Sequence, residues 1–175
     1  MRHHTFPPRP SLLGSGAPPT APHQDRPAAA RCPVPTKRWL REGLPVPRPL
    51  LTRINPAHGP RLASMGYELV WATTWMVDAN ECIAPCLGLP PLPVVSWPDE
   101  PPAEPERDGL HWKTRTLVDR AAGRAFAWVD DEITETDRAW VERHHRGRAL
   151  LHRVDPRHGL TDADFAALTA WPDRR

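Results

Sequence analysis

The chain has 175 residues, with 23 Lys/Arg against 21 Asp/Glu for a net charge of +2, and it carries 24 prolines. No run of 18 apolar residues is present, which excludes a transmembrane helix, and Met1–Pro8 offers no apolar stretch long enough for a secretory signal. Cys32, Cys82 and Cys86 make an odd count rather than a disulfide framework, so a reducing, cytoplasmic setting is expected, with no membrane partner.

The charge is unevenly spread. Residues 1–67 hold ten Arg/Lys and two Asp/Glu, a net of +8, whereas residues 68–175 hold thirteen and nineteen, a net of −6. Only Lys37 and Lys113 are lysines. A basic arm on an acidic domain suits contact with nucleic acid; arginine, proline and alanine in these amounts also point to GC-rich codons, and that account of the arm is preferred. A lysine is then worth more notice than an arginine.

Residues 1–48 read as a disordered or extended Pro/Arg-rich segment. Half of all prolines fall before residue 50, and proline removes backbone donors and keeps its predecessor out of the helical region. Ser11-Leu12-Leu13 is too short for a convincing strand. From residue 49 to 172 the pattern changes to strands alternating with helices. Leu50–Ile54 suggests a short strand. Asn55 and Pro56 look like an N-cap and first helical position for Ala57–Met65, with Gly66 closing the helix.

Tyr67–Ala72 is an apolar strand ending in Thr73-Thr74-Trp75. Met76–Leu87 reads as a helix interrupted by Pro85 and closed by Gly88. Pro93–Trp97 suggests a third strand, and Pro98–Gly109 an acidic, proline-rich loop. His111–Ala122 follows as a helix, and Ala125–Val129 as a strand. Thr136–His145 is a helix and Arg148–Val154 a strand. Thr161 caps a last helix, with Asp164 at the capping-box position and Phe165, Leu168 and Trp171 on one face. Strand–helix alternation predicts an α/β fold, a Rossmann-like parallel sheet with helices on both faces.

Arg124–Glu132 is the centre of this pattern. Phe126-Ala127-Trp128-Val129 is a short apolar run of the kind that forms a buried parallel strand, and it stops in three acids, Asp130, Asp131 and Glu132. Ligands sit at the carboxyl ends of strands in open α/β sheets. Adjacent carboxylates repel unless a cation or proton joins them, and a hard ion such as Mg²⁺ suits them. A solvated acidic turn is the alternative. Thr73 and Thr74 end another strand. Lys113 starts a helix, where its charge opposes the helix dipole and invites an anion. A hydroxyl, a lysine and paired acids can together hold a phosphate and its metal. Trp75 and Trp112 flank these residues. His111, adjacent in sequence, is expected at a solvated helix start, and His144-His145 at a helix C-terminus. Cys82 and Cys86 fall on one helical face and are expected to pack rather than bind zinc.

In order and strand context these motifs resemble the haloacid dehalogenase (HAD) superfamily of phosphohydrolases. Trp71–Trp75 is similar to its second motif, His111–Thr114 to its third, and Trp128–Asp131 to its fourth. Residues 49–172 more closely resemble small actinobacterial HAD-domain proteins, including the type found in multidomain RNA-repair proteins. The resemblance implies phosphate-monoester hydrolysis with Mg²⁺ as cofactor, on a phosphorylated small molecule or nucleic-acid end. It implies that Thr73 hydrogen-bonds the phosphoryl group, that Lys113 neutralises charge, and that Asp130 and Asp131 hold the metal. Thr74, Trp75 and Trp112 would contact substrate.

The family's first motif, an apolar strand ending in Asp-x-Asp, has no counterpart. The only Asp before residue 78 is Asp25, in His23-Gln24-Asp25-Arg26. No nucleophile is therefore carried over, and the chain is expected to be inactive as written. The nucleophile strand is expected to be missing from the centre of the sheet, between the strands ending at Thr73 and Asp130. The abrupt change near residue 49 favours a misplaced gene start or a frameshift. The competing accounts are a HAD remnant that binds phosphate, nucleic acid or protein without turnover, and a chain that does not fold stably.

Overall fold

The computed structural model describes residues 11–14, 53–97 and 109–171. Four strands form one parallel sheet: β1 (Ser11–Gly14), β2 (Glu68–Trp71), β3 (Phe126–Asp130) and β4 (Ala149–Arg153). Among the described residues six helices accompany them: α1 (His58–Ser64), α2 (Asp78–Cys82), α3 (Ala84–Leu87), α4 (Thr114–Ala121), α5 (Glu135–His144) and α6 (Asp162–Ala170). The spatial order of strands is β2-β1-β3-β4.

The missing central strand is the main correction. Ser11–Gly14 pairs in parallel with Glu68–Trp71 on one side and with Phe126–Val129 on the other. The expected place was right, but the place is filled. A four-residue segment is a weak strand by itself. Between two parallel neighbours its backbone groups are paired on both sides, which sequence pattern alone cannot register. The remainder of the 1–48 segment, including its basic arm, lies outside the described residues.

Side chains alternate across the sheet as the strand period requires. Phe126 and Trp128 enter one core with Val70, Leu117, Val118, Ile133, Val141 and Leu151, so α4 and α5 cover that face. Ala127 and Val129 enter another with Tyr67, Leu168 and Trp171, beneath α1 and α6. All five residues of β3 are buried, Asp130 included. A third cluster joins α2 and α3 to Ile54 and Leu89. There Gly59 is required for contact: a Cβ on it would stand 1.7 Å from the Leu87 carbonyl oxygen.

Several local expectations shift at their edges. Arg53 and Ile54 are not in a strand, and the rest of Leu50–Ile54 is outside the described residues. Asn55 does not cap a helix directly. Its Oδ1 accepts from Ala57 N at 3.0 Å and its carbonyl from His58 N at 3.1 Å, so a turn precedes α1. The Met76–Leu87 helix is two short helices, with Pro85 at the start of the second and Gly88 left-handed at its end. Pro93–Trp97 is reduced to a single bridge, Trp71 to Val94. The capping box at Thr161 and Asp164 is present, and Thr134 forms a second one with Asp137. Cys82 and Cys86 are both buried in the cluster around α2 and α3, and Cys82 is free. No helix among the described residues is long and apolar enough to cross a membrane.

Candidate functional site at the carboxyl end of the sheet

Parallel pairing sets the site. Gly14 is in register with Trp71 and Val129, so Thr73 follows two residues beyond the paired position on β2, and Asp130 one beyond it on β3. Both therefore emerge at the same edge, flanking β1. Lys113 occupies the N-cap position of α4. Its Nζ donates to Asp130 Oδ2 at 3.1 Å, and both residues are buried, at 5 % and 0 % exposure. Burying two charges requires pairing and further hydrogen bonds. Trp128 Nε1 supplies one to Oδ2 at 3.2 Å, and Glu132 N supplies one to Oδ1 at 3.1 Å.

Asp131 and Glu132 continue the acidic end. Asp131 is half-buried, and its carboxyl is pushed above the usual carboxylate range. Loss of solvent is the main cause, opposed by a backbone N–H, and the neighbouring Asp130 and Glu132 charges add to it. A divalent cation would relieve that repulsion, and the oxygen donors of Asp130 and Asp131 are of the type Mg²⁺ takes.

His111, Asp130 and Glu132 also lie close enough for one ion, their ligand atoms within 4.8 Å of one another. The hydrogen bonds argue against His111 as a ligand. Lys113 N donates to His111 Nδ1 at 3.2 Å, so Nδ1 is the unprotonated nitrogen. Nε2 then carries the proton and donates to Glu132 Oε2 at 3.1 Å. Metal on Nε2 would move the proton to Nδ1, where it would face another N–H. The acids alone remain suitable.

Thr73 is buried at the end of β2, and its Oγ1 accepts from Trp75 N at 3.3 Å. Among the described residues the hydroxyl proton has no acceptor, so it is available to an oxyanion. The link from Thr73 to Lys113 runs through aromatic rings. Trp97 Nε1 donates to the Thr73 carbonyl at 3.1 Å, and Trp97 packs edge-on to Trp112 with centroids 4.8 Å apart. Trp112 stacks on His111 at 5.7 Å, and Lys113 Nζ lies 5.3 Å from its ring centre.

The sequence-derived residues thus divide. Lys113 and Asp130 touch, Asp131 adjoins them, and Thr73 and Trp112 join through Trp97. Thr74 is exposed, and Trp75 packs on the core cluster of α2 and α3. Contrary to expectation, His111 is not at a solvated helix start. Its side chain is 8 % exposed and lies edge-on to Trp128. His144 does bond a last-turn carbonyl, that of Trp140, while His145 is buried and reaches Arg124 O at 3.0 Å.

Two residues were missed. Trp97 ends a strand-like segment on the same sheet edge, a signal as good as the one at Thr73. Asp137 is fully buried and was passed over, although Thr134-x-x-Asp137 is a capping-box pattern. Asp137 accepts from Thr134 N and Oγ1, from Thr114 Oγ1 at 2.6 Å and from His111 N at 2.8 Å. It thereby holds the start of α4, and so Lys113, against α5. The chain matches no protein-family model, no curated protein and no solved structure.

Proposed function

We propose that the chain is a HAD-like phosphohydrolase domain with a Rossmann-like sheet, retaining the phosphate- and metal-holding half of the site and lacking the nucleophile. It binds phosphate monoesters with Mg²⁺ and does not hydrolyse them. The observation that carries this reading is the buried Lys113–Asp130 pair at 3.1 Å, at the carboxyl end of a strand beside β1. The hydroxyl of Thr73 supports it from the other side of β1.

In this reading Thr73 donates to a phosphoryl oxygen and Lys113 bridges that group to Asp130. Asp130 and Asp131 would hold Mg²⁺, which neutralises phosphate charge when bound. The central strand ends at Gly14 and the chain continues Ser15-Gly16-Ala17, so no carboxylate follows it to attack phosphorus. Lys113, Trp128 and a backbone N–H already hold both Asp130 oxygens in place.

Restoring the missing motif is the test. Ser15→Asp with Ala17→Asp places Asp-x-Asp directly after Gly14 in the sequence. With Mg²⁺ and p-nitrophenyl phosphate, the wild type should show no turnover above background, and the double variant should show Mg²⁺-dependent turnover. Thr73→Val, which removes one donor while keeping shape, should weaken binding of inorganic phosphate roughly tenfold or less. A folded double variant inert on a broad panel of phosphate esters, together with a wild type that ignores phosphate, would sink the reading.

A further inference from the structure

Among the described residues only two large apolar side chains are exposed, Val77 and Trp112, and Trp112 lies at the candidate site. Its exposure, 39 %, contrasts with the complete burial of Trp128 close by. The Trp112 ring is also held in place. Trp97 meets it edge-on at 4.8 Å, His111 stacks beside it, and Lys113 Nζ is 5.3 Å from its centre. His111 is fixed in turn by Glu132, by the Lys113 backbone and by Trp128. An exposed indole locked by its neighbours loses little entropy on binding a second ring, and every nucleobase offers a π-face.

The polar groups next to it select what else the ligand carries. Lys113 supplies a cation 5.3 Å from the ring centre and Thr73 a hydroxyl proton, so the ligand combines a planar ring with an anionic group. We propose that Trp112 is a stacking platform for the base of a nucleoside monophosphate whose phosphate lies at Lys113 and Thr73. This rests on the phosphate-binding reading above and narrows the substrate class from phosphate monoesters to nucleotides. Trp112 takes the base, and Trp97 and His111 set the ring's angle.

The test uses AMP, ribose 5-phosphate, adenosine and inorganic phosphate, each titrated calorimetrically into the full chain with Mg²⁺. AMP should bind the wild type roughly tenfold more tightly than ribose 5-phosphate. Trp112→Ala should bring the two to parity, and Trp112→Phe should retain most of the difference. Because the side chain is partly exposed, both variants should melt near the wild type, which a circular-dichroism melt checks. Equal binding of AMP and ribose 5-phosphate to the wild type overturns the platform and leaves the phosphate site standing. Adenosine binding that Trp112→Ala abolishes, with no gain from the phosphate, supports the platform and overturns the phosphate site instead. Binding of neither AMP nor adenosine overturns the proposal.

Discussion

Two buried aspartates, Asp137 at the start of α5 and Asp130 at the end of β3, are satisfied in different ways. Among the described residues Asp137 accepts from hydroxyls and backbone N–H groups alone, with no cation beside it. Burial by itself would raise its carboxyl, but hydrogen bonds from Thr114, Thr134 and His111 outweigh this and hold it below the usual range. It is a brace, closing the N-terminus of one helix onto another. Asp130 instead takes a buried lysine and sits beside two more acids. Hydroxyl and amide donors suffice for a structural carboxylate, as Asp137 demonstrates. A buried ammonium is costly to desolvate, and it gives Asp130 a charge partner that can also reach an anion.

The largest expected effect comes from breaking the ion pair. Lys113→Met leaves Asp130 buried without its cation and should cost about 3–5 kcal/mol in urea unfolding. Adding Asp130→Asn should recover part of that loss, because the stranded charge is gone. A loss under about 1 kcal/mol in Lys113→Met would mean that Asp130 is not charged in the fold, and the contrast with Asp137 would collapse.

Asp137→Ala comes next, at about 2–3 kcal/mol, since it strands the Thr114 hydroxyl and removes the side-chain half of the capping box, which holds the Thr134 N–H. Asp137→Asn should cost about half as much, with one acceptor kept. The pH dependence separates the brace from a generic effect. A carboxyl whose folded pKa is depressed contributes stability that is present above its unfolded value of about 3.9 and is lost as pH falls through the folded value. Wild type and Asp137→Asn should therefore converge in stability as the pH is lowered through that window. Parallel curves down to the acid transition would show that the carboxylate charge is not what holds α4 to α5.

How much of this was legible in the sequence follows from what each signal depends on. The strand at Phe126–Asp130 could be read because a continuous apolar run bounded by Gly123 and three acids has few other uses. Lys113 and Asp130 could be paired only through strand order, and that part of the reading placed them at one sheet edge. β1 could not be read, because Ser11–Gly14 becomes a strand through its neighbours' backbones, and pattern sees only side chains. The break in the Met76–Leu87 helix was legible from Pro85, whereas the lone bridge at Val94 was not, because local propensity does not say where tertiary pairing stops. Asp137 was legible in principle, since Thr134-x-x-Asp137 repeats the pattern recognised at Thr161. What no pattern shows is that its second oxygen crosses to α4. Trp97 shares the sheet edge that drew attention to Thr73, but its bond to the Thr73 carbonyl exists only in three dimensions.

The smallest effect bears most directly on the metal. Asp131 is held above the usual carboxylate range by desolvation first, then by Asp130 and Glu132. Raised in the fold, it favours the protonated form, so its unfavourable contribution is absent well below the unfolded pKa and grows as pH rises through the folded one. At neutral pH with EDTA, Asp131→Asn should therefore be slightly more stable than the wild type, by under about 1 kcal/mol because the group is partly solvated. Mg²⁺ should reverse the order. An ion shared by Asp130 and Asp131, as proposed, would stabilise the wild type by mass action and would have one fewer ligand in the variant. A thermal melt of both proteins in EDTA and in Mg²⁺ reads the crossing. Equal shifts in the two proteins would remove Asp131 from the metal site, and the Asp130 end of the sheet would then become a second brace like Asp137.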